Sequence, residues 1–382
     1  MKIGLLGRGT VGGGVDKIIA SQTSQTKGLE VAKILDLRKI EGDNRFVDSI
    51  DDITNDPSID LVVECMGGIE PAHEFIMKAL NAGKHVVTSN KAVVSKYFFD
   101  FVSAAQVNNV GLYLEATAGG GVPWIHSLTR AKRIDEIIEF SGIINGTSNF
   151  IIDKMEKRKA DFNATLKLAQ EKGYAEADPS ADIDGDDVKA KTMISASIAF
   201  DTLCTDSLPM SGIRNLTSED INVFDKMGLN VRMITRAVRK GDKYCVTVEP
   251  QLCDKASLEA NTPGYFNTVS LTGATIGELK FFGAGAGELP TANAIVQDII
   301  DCVGGYIPKY SFENKLEFDP TIMESSYVIR TGERSVIPEN SIEIHENYFI
   351  IGNQNPMSAY EILQEALKSD SESFMAGLNY EF

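Results

Sequence analysis

The sequence predicts an α/β protein whose N-terminal part is a parallel sheet covered by helices on both faces. Short apolar runs, typical of strands, occur at Lys2–Leu6, Glu30–Leu35 and Leu61–Cys65. Helical periodicity separates them, as in Pro71–Ala82, which begins with a proline and is followed by Gly83. Apolar strands that alternate with helices indicate a parallel sheet buried on both faces.

Further elements are predicted on the same grounds. The first helix is indicated by apolar residues at helical spacing: Val11, Val15, Ile18 and Ile19. Two more strands of the first part are predicted at His85–Thr88 and Val110–Ala116. Beyond about residue 128 the pattern becomes α+β, with strands at Ile134–Asn145, Tyr244–Pro250 and Thr268–Thr272 and helices at Ser148–Lys157, Ala164–Lys172, Asp186–Phe200 and Pro290–Val303.

The C-terminal part begins with a segment of linker composition, residues 306–320. The elements predicted after it are a strand, a strand, a helix and a strand: Tyr327–Thr331, Ser341–Ile351, Met357–Lys368 and Phe374–Tyr380. Only nine residues separate the first two strands. We expect no packing helix between them, because a helix rises only about 1.5 Å per residue and needs turns at both ends.

Composition and charge exclude several classes of protein. The 382 residues include 37 basic and 54 acidic ones, a formal charge of −17, which disfavours nucleic acid and anionic membrane surfaces as partners. No apolar run approaches the roughly 20 residues of a membrane helix. The five cysteines are dispersed without CxxC spacing, so that we expect reduced thiols in a cytoplasmic protein.

A glycine-rich motif follows the first strand directly and opens the first helix. It comprises Gly7, Gly9 and Gly12, with Thr10 and Val11 between the last two. In this context the pattern predicts a dinucleotide site: the glycines allow a tight turn, the approach of a pyrophosphate and close packing of helix on strand. The alternative is a glycine-rich turn that binds nothing.

Asp36 lies at the end of the second predicted strand, 24 residues after Gly12. An acid there commonly binds the ribose 2′-hydroxyl, which favours NAD. Arg38 and Lys39 follow at once and could hold a 2′-phosphate instead, so that NAD and NADP both remain open.

Two further segments carry candidate catalytic groups. Lys91 and Ser89 follow the strand His85–Thr88, at the edge of the sheet where ligands of open α/β sheets bind. Between Glu176 and Asp187 there are six acids and no base, and Asp187 shares a helical face with Lys191. A cation beside acids suits a substrate with an ammonium group and a carbonyl. The non-functional alternatives are an ordinary surface lysine and a solvated acidic loop. A calcium-binding loop is excluded, because Asp187 and Met193 stand at the positions where such a loop needs Gly and Glu.

Taken together, these segments resemble homoserine dehydrogenases. The resemblance rests on GLLGRGTVGGGV at 4–15, VVECMGGIEPAHEFIMKALNAGKHVVTSNKA at 62–92, LYLEATAGGGVPWI at 112–125, SGIINGTSNFI at 141–151, GYAEADPSADIDGDDVKAK at 173–191 and FFGAGAGELPTANAIVQD at 281–298. It implies reversible, NAD- or NADP-dependent reduction of L-aspartate 4-semialdehyde to L-homoserine in threonine and methionine biosynthesis. It also implies a homodimer or a higher homo-oligomer.

The resemblance also implies roles for individual residues. Lys191 is the catalytic lysine, Lys91 is a second lysine near the nicotinamide, and Asp187 orients Lys191. The substrate contacts Glu176, Asp182, Gly146, Thr147 and Tyr174; the cofactor additionally contacts Met66, Gly67 and Gly287. A structural sodium ion is implied at Glu115 with the carbonyl groups of Ala118, Gly120 and Val122, a donor set that suits a hard cation.

The implied organisation has three parts: a dinucleotide-binding domain at 1–128 with the helix 288–305, a catalytic and dimerisation domain at 129–287, and a linker with a short ACT-like remnant at 306–382. Two departures from the family pattern matter. Leu35 stands where many members carry Arg, so that we expect NAD to be used at least as well as NADP. The tail lacks room for the first helix of the ferredoxin-like regulatory domain, so that we expect no threonine inhibition.

Two rival functions are weighed against this one. A nucleotide-sensing protein without activity would not need the lysines and the acid cluster, which are present. An aldehyde dehydrogenase would need a cysteine nucleophile paired with a base, and Cys65 has no recognisable partner.

Overall fold

The computed structural model describes residues 1–378. Its α-helices are α1 Thr10–Ala20, α2 Asp51–Thr54, α3 Ala72–Asn81, α4 Lys91–Val107, α5 Trp124–Ala131, α6 Gly146–Arg158, α7 Phe162–Glu171, α8 Ser180–Asp184, α9 Asp186–Phe200, α10 Ser218–Lys226, α11 Glu288–Val303 and α12 Pro356–Ser369. Its strands are β1 Lys2–Leu6, β2 Glu30–Leu35, β3 Phe46–Val47, β4 Ile59–Glu64, β5 His85–Thr88, β6 Leu112–Tyr113, β7 Ile137–Ile143, β8 Leu229–Lys240, β9 Lys243–Asp254, β10 Phe266–Gly273, β11 Gly277–Ala284, β12 Glu317–Phe318, β13 Ser325–Arg330, β14 Ile342–His345, β15 Tyr348–Gln354 and β16 Phe374–Leu378.

The chain divides into two compact units. Unit 1 comprises residues 1–129 and 284–313, and unit 2 comprises residues 130–283 and the chain from 314 onward. Within the described residues no helix is both long and apolar enough to cross a bilayer. The functional roles predicted for the parts of the chain stay predictions.

Unit 1 is built on the predicted parallel sheet, and that prediction is confirmed. The six strands lie in the order β3-β2-β1-β4-β5-β6, all parallel. The central strands β1 and β4 are almost wholly buried. The strand order changes direction between β1 and β4, because β2 and β3 lie on one side of β1 and β4 to β6 lie on the other. Ligands of open α/β sheets bind at such a switch point, outside the carboxyl ends of the strands.

The helix that opens with the glycine motif packs closely on α11. A Cβ atom on Gly14 would stand 2.9 Å from the Cβ of Ala292, so that only glycine allows this approach. Val15, Ile295 and Ile299 are buried in the same core, against the strands. Overpacking at Gly14 would cost about 1–3 kcal/mol, since a close-packed core cannot absorb an extra methyl group without shifts.

Unit 2 is an α+β unit built on a ten-stranded sheet. Nine strands follow the order β11-β10-β7-β8-β9-β16-β13-β15-β14, and β12 pairs with β9. The long strands β8 and β9 pair over their whole length from Leu229↔Asp254 to Lys240↔Lys243. The helix α9 has the predicted bounds, and Gly185 with φ 103° precedes it, which lets the chain turn sharply out of α8.

The tail departs from the predicted element order. Ser341–Ile351 is not one strand but the hairpin β14–β15, because the chain turns at Asn347, which has φ 63°. The order is therefore strand, strand, strand, helix, strand. Between β13 and β14 the chain forms only a 3₁₀ turn, Arg334–Val336, in agreement with the short connection. The last two residues of the predicted strand Phe374–Tyr380 lie outside the described residues.

The tail joins the sheet of unit 2 through β16, which pairs with both β13 and β9. Asp220 of α10 anchors it: this carboxylate is fully buried and accepts hydrogen bonds from Arg330 at 2.7 Å and from the Tyr348 hydroxyl at 2.9 Å. The kinship of the tail with a regulatory domain stays a prediction.

One predicted strand of unit 1 is wrong over most of its length. Val110–Ala116 contains only the two-residue strand β6, and Glu115–Thr117 forms a 3₁₀ turn. The reason is that the Glu115 carboxylate accepts N–H groups at the start of α5, from Ile125 at 3.1 Å and from His126 at 2.6 Å, which draws the chain out of the sheet. The helix α4 and the strand β8 were not predicted.

Candidate active site

The glycine motif forms a turn that only glycine can make. Gly7 has φ 82° and donates its N–H to the Leu35 carbonyl at 2.9 Å. A Cβ on Gly12 would stand 2.0 Å from the carbonyl oxygen of Gly7, so that the helix approaches the turn directly. Gly9 is the N-cap residue of α1 and supplies no side-chain cap. The N–H groups at Thr10 and Val11 therefore begin a helix whose positive end suits a phosphate.

Asp36 lies beside this turn. Its carboxylate accepts the N–H of Arg8 at 2.6 Å and the N–H of Arg38 at 2.8 Å. These two bonds fix the carboxylate next to the glycine motif, where it can accept hydrogen bonds from the hydroxyl groups of a ribose. The two basic residues nearby have different neighbours. The Lys39 ammonium forms an ion pair with Asp48, whereas the Arg38 guanidinium lies beside the glycine motif, 3.9 Å from where a Cβ on Gly9 would be.

The carboxyl ends of β4 and β5 hold the other predicted cofactor residues. Met66 donates its N–H to the Glu64 carboxylate at 2.7 Å, and Gly67 has open space where a Cβ would be. The Ser89 carbonyl accepts the N–H of Lys91 at 3.1 Å, and Lys91 is the first residue of α4. Sequence reasoning missed Glu64, although a carboxylate at the end of an otherwise apolar strand is an unusual signal.

Burial raises the pKa of the Cys65 thiol well above its usual range. A thiol that stays protonated is a poor nucleophile, which argues against the cysteine-dependent alternative.

Burial also raises the pKa of Glu115 to about 7, although hydrogen bonds from backbone N–H groups at the start of α5 lower it.

The predicted sodium residues form a tight loop after Glu115. Gly119 and Gly120 have φ 88° and 66°, and a Cβ on Gly119 would stand 2.8 Å from the carbonyl oxygen of Val122. A Cβ on Gly120 would stand 2.3 Å from the carbonyl oxygen of Gly285, so that glycine is required there too. The backbone of Ala118 is extended, and Gly287, with φ 129°, is the N-cap residue of α11. Across residues 1–378 no three His, Cys, Asp or Glu side chains group as a metal site.

In unit 2 the structure brings Lys191 and Asp187 together, one helical turn apart on α9. The Lys191 Nζ lies 2.7 Å from Asp187 Oδ2 and donates to the Ile144 carbonyl at 2.8 Å. Both side chains are largely buried, with exposed fractions of 12% and 7%. The carbonyl of Ile144 fixes the ammonium from a second element, just after β7.

Asn145 is the residue of this cluster that sequence reasoning missed. Its Nδ2 donates to Asp182 at 2.7 Å and to Asp187 at 2.7 Å. Its Oδ1 accepts the N–H of Ser148 at 2.7 Å and so caps α6. One amide therefore joins two carboxylates that would otherwise repel each other. Its signal in the sequence is the N-cap pattern of Asn before a helix, which alone does not indicate a site.

The remaining predicted substrate residues lie around the start of α6. A Cβ on Gly146 would stand 2.7 Å from the carbonyl oxygen of Tyr265, and Thr147 donates its hydroxyl to the Tyr174 carbonyl at 2.6 Å. The Tyr174 ring stacks on that of Tyr265, with centroids 5.0 Å apart. Glu176 is exposed, and over the described part of the chain its carboxylate forms no ion pair or hydrogen bond with the Lys191 cluster.

The parallel sheet with its glycine turn and the buried lysine–aspartate pair define a dinucleotide-dependent oxidoreductase. Sequence models described as the NAD-binding domain of homoserine dehydrogenase and as homoserine dehydrogenase match residues 7–115 and 123–300. The chain belongs to the homoserine dehydrogenase family, whose members are NAD(P)-dependent oxidoreductases.

Individual relatives agree with this assignment. A homoserine dehydrogenase of Bacillus subtilis is 35% identical over 316 residues, which cover 78% of this chain and 72% of the relative. The crystal structure of a homoserine dehydrogenase from Thiobacillus denitrificans is similar with a TM-score of 0.86 at 30% identity and covers 99% of this chain and 98% of that one. A hyperthermophilic archaeal homoserine dehydrogenase in complex with NADPH is similar with a TM-score of 0.69 at 26% identity, over 81% and 99% of the two chains.

Proposed function

We propose that this chain interconverts L-aspartate 4-semialdehyde and L-homoserine with NAD or NADP. The observation that carries the proposal is the Lys191 ammonium, which is held by Asp187 and by the Ile144 carbonyl. An ammonium has three N–H donors, and these two contacts leave one for the substrate. The bound nicotinamide supplies the hydride in reduction and accepts it in oxidation.

Lys191 acts as the general acid in the reduction. As negative charge develops on the aldehyde oxygen, the ammonium donates a hydrogen bond and then the proton. Asp187 holds the Lys191 side chain in place and compensates the positive charge of its protonated form. In the oxidation the neutral amine removes the hydroxyl proton, so that the same pair works in both directions.

The acids of the cluster suit the amino-acid end of the substrate. Asp182 and Glu176 offer carboxylates to the ammonium group, and Asn145 keeps Asp182 next to Asp187. Gly146 and Thr147 begin α6, where backbone N–H groups can bind the substrate carboxylate, and the Tyr174 carbonyl accepts the hydroxyl of Thr147.

The glycine motif, with Met66, Gly67, Ser89 and Gly287, binds the dinucleotide. We expect NAD to serve at least as well as NADP, because Asp36 is fixed beside the turn. Lys91 lies near the nicotinamide in this proposal. The test is the oxidation of NADH and NADPH with aspartate semialdehyde; no turnover with either nucleotide would contradict the proposal.

A structural sodium ion at Glu115 belongs to the same proposal, held with the carbonyl oxygens of Ala118, Gly120 and Val122. The residues fit such an ion, because Glu115 is 5% exposed and no Lys, Arg or His among residues 1–378 pairs with it. A sodium ion would supply the missing charge. Unfolding temperatures in sodium chloride and choline chloride of equal ionic strength test it, with Glu115→Gln expected to abolish any difference.

The proposal includes a cytoplasmic homodimer or higher homo-oligomer without nucleic-acid or membrane partners. The family resemblance supports the oligomer, and the charge of −17 disfavours nucleic acid and anionic membrane surfaces as partners. Light scattering after size-exclusion chromatography measures the oligomeric state; a monomer at micromolar concentration would contradict it.

A further inference from the structure

Glu64 is the last residue of β4, in the middle of the parallel sheet between β1 and β5. Its side chain is fully buried. No Lys, Arg or His within residues 1–378 pairs with it, and burial raises its pKa to about 7. An apolar side chain would be far less costly at this position, because a buried carboxyl group without a cation loses its hydration.

The contacts of Glu64 are with the loop that follows its own strand, with the last residue of β5 and with the segment after β5. Oε1 accepts the N–H of Met66 at 2.7 Å and lies 3.5 Å from Asn90 Nδ2, and Oε2 accepts the hydroxyl of Thr88. Asn90 donates the same amide to the Gly68 carbonyl at 2.7 Å. One carboxylate therefore joins the loop 66–68 to the end of β5.

These segments carry residues of the proposed nicotinamide site. Asn90 caps α4 by accepting the N–H of Val93 at 3.3 Å, and the next residue, Lys91, begins that helix. The loop 66–68 adjoins the glycine turn, since a Cβ on Gly7 would stand 3.0 Å from the nitrogen of Met66. A displacement of either segment would move Lys91 relative to the turn.

We propose that Glu64 is a positioning residue for hydride transfer: its carboxylate holds the loop 66–68 and the start of α4 in one arrangement, and through them it orients the nicotinamide and Lys91. The inference rests on the proposed function, because it takes these segments as the nicotinamide site. Orientation governs the rate of transfer, whereas the pyrophosphate turn at Gly7–Gly12 supplies most of the nucleotide affinity.

The experiment compares Glu64→Leu and Glu64→Gln with Glu249→Gln. Glu249 is a matched control, because it is a buried glutamate of unit 2 whose pKa burial likewise raises to about 7. Fluorescence titration gives the Kd of NADH or NADPH without the second substrate, and steady-state kinetics give kcat and KM. We expect Glu64→Leu to lower kcat by ~10- to 100-fold while the nucleotide Kd changes less than about threefold.

Glu64→Gln should restore part of the loss, because its amide oxygen can still accept the N–H of Met66. The control should keep the wild-type kcat and Kd. A folded Glu64→Leu variant with a kcat within about twofold of wild type would overturn the inference. So would a parallel loss of kcat and nucleotide affinity, which would indicate a merely structural role.

Asn90→Ser decides the question if Glu64→Leu does not fold. Serine still caps α4, but it cannot donate to both Glu64 and Gly68, so that the same selective loss of kcat is expected. An unchanged kcat in Asn90→Ser overturns the inference. Wild-type enzyme without turnover on aspartate semialdehyde would instead disprove the proposed function, which keeps the two failures apart.

Discussion

The carboxylates of the two units stand in opposite environments. In unit 1, Glu64 is buried among backbone N–H and hydroxyl donors, no cation of residues 1–378 pairs with it, and burial raises its pKa to about 7. In unit 2, Asp187 is also buried but pairs with the Lys191 ammonium at 2.7 Å. The first carboxylate joins segments of backbone; the second holds the lysine that we propose as the proton donor to the substrate.

The difference shows what each half of the enzyme must do. A nucleotide bound through a glycine turn needs accurate backbone placement, and a carboxyl group that accepts hydrogen bonds supports it both in the neutral and in the ionised form. A substrate that gains a proton needs a charged donor, and a charged donor inside a protein needs a counter-ion.

The largest effect is expected at the paired site. Lys191→Ala should lower kcat by ~10²- to 10⁴-fold, which is the usual contribution of a general acid to the rate, and should leave the nucleotide Kd nearly unchanged. The control is Lys189→Ala on the same helix, which should keep most of the activity. Steady-state rates and dinucleotide titration measure both; more than about a tenth of the wild-type kcat in Lys191→Ala would exclude its role as the acid.

The buried Glu64 carboxyl group should make the free energy of unfolding depend on pH. The raised pKa of Glu64 means that the folded chain binds a proton between about pH 4.5 and 7 that the unfolded chain has released. Glu64 therefore contributes stability below this window, and the contribution falls as pH rises through it. The free energy of unfolding of wild type minus that of Glu64→Gln should decrease from pH 5 to pH 8, by at most about 3 kcal/mol. A pH-independent difference would contradict the raised pKa.

Asn145→Ser separates helix capping from the orientation of the acids. Serine retains the cap of α6, so that a fall in the unfolding temperature reports the loss of the two hydrogen bonds to Asp182 and Asp187 and not the loss of the cap. The loss of the hydrogen bonds to the two carboxylates should lower kcat/KM by at least roughly 10- to 100-fold, since one hydrogen bond to a charged group is worth about 1.5–3 kcal/mol. Calorimetry and kinetics on the same preparation test this, and an unaltered kcat/KM would show that Asp182 and Asp187 need no bridge.

A smaller effect is expected at the nucleotide turn. Asp36→Ala should raise the ratio of kcat/KM for NADPH over NADH by about tenfold, because it removes a hydroxyl acceptor and a charge that repels a 2′-phosphate. Wild type should use NADH at least as well as NADPH. A clear preference of the wild type for NADPH would show that Arg38 dominates over Asp36.

The smallest expected effect is that of threonine on activity. The tail has a 3₁₀ turn where a first helix would stand, and β16 ties it into the sheet of unit 2. We expect the rate to stay within error of the control up to millimolar L-threonine. Half-inhibition in that range, lost on truncation after Asp319, would refute this interpretation of the tail.

Local patterns predicted the parts of the molecule that local forces determine. The helix α9 has the predicted bounds, and the glycine turn follows β1 as expected, because periodicity and glycine spacing act within a few residues. The strand Ser341–Ile351 shows the limit of such reasoning, since its pattern continues through the turn at Asn347.

By itself, the sequence determined the parallel sheet, the glycine turn and the pairing of Asp187 with Lys191, since four residues on a helix are one turn. Only the tertiary structure decided that Asn145 joins Asp182 to Asp187, across 37 and 42 residues of sequence, and that Glu64 reaches Asn90, 26 residues on. Such contacts depend on how strands and helices pack, because a buried polar group forms hydrogen bonds with the groups that packing places next to it. No spacing rule in a single sequence records that choice.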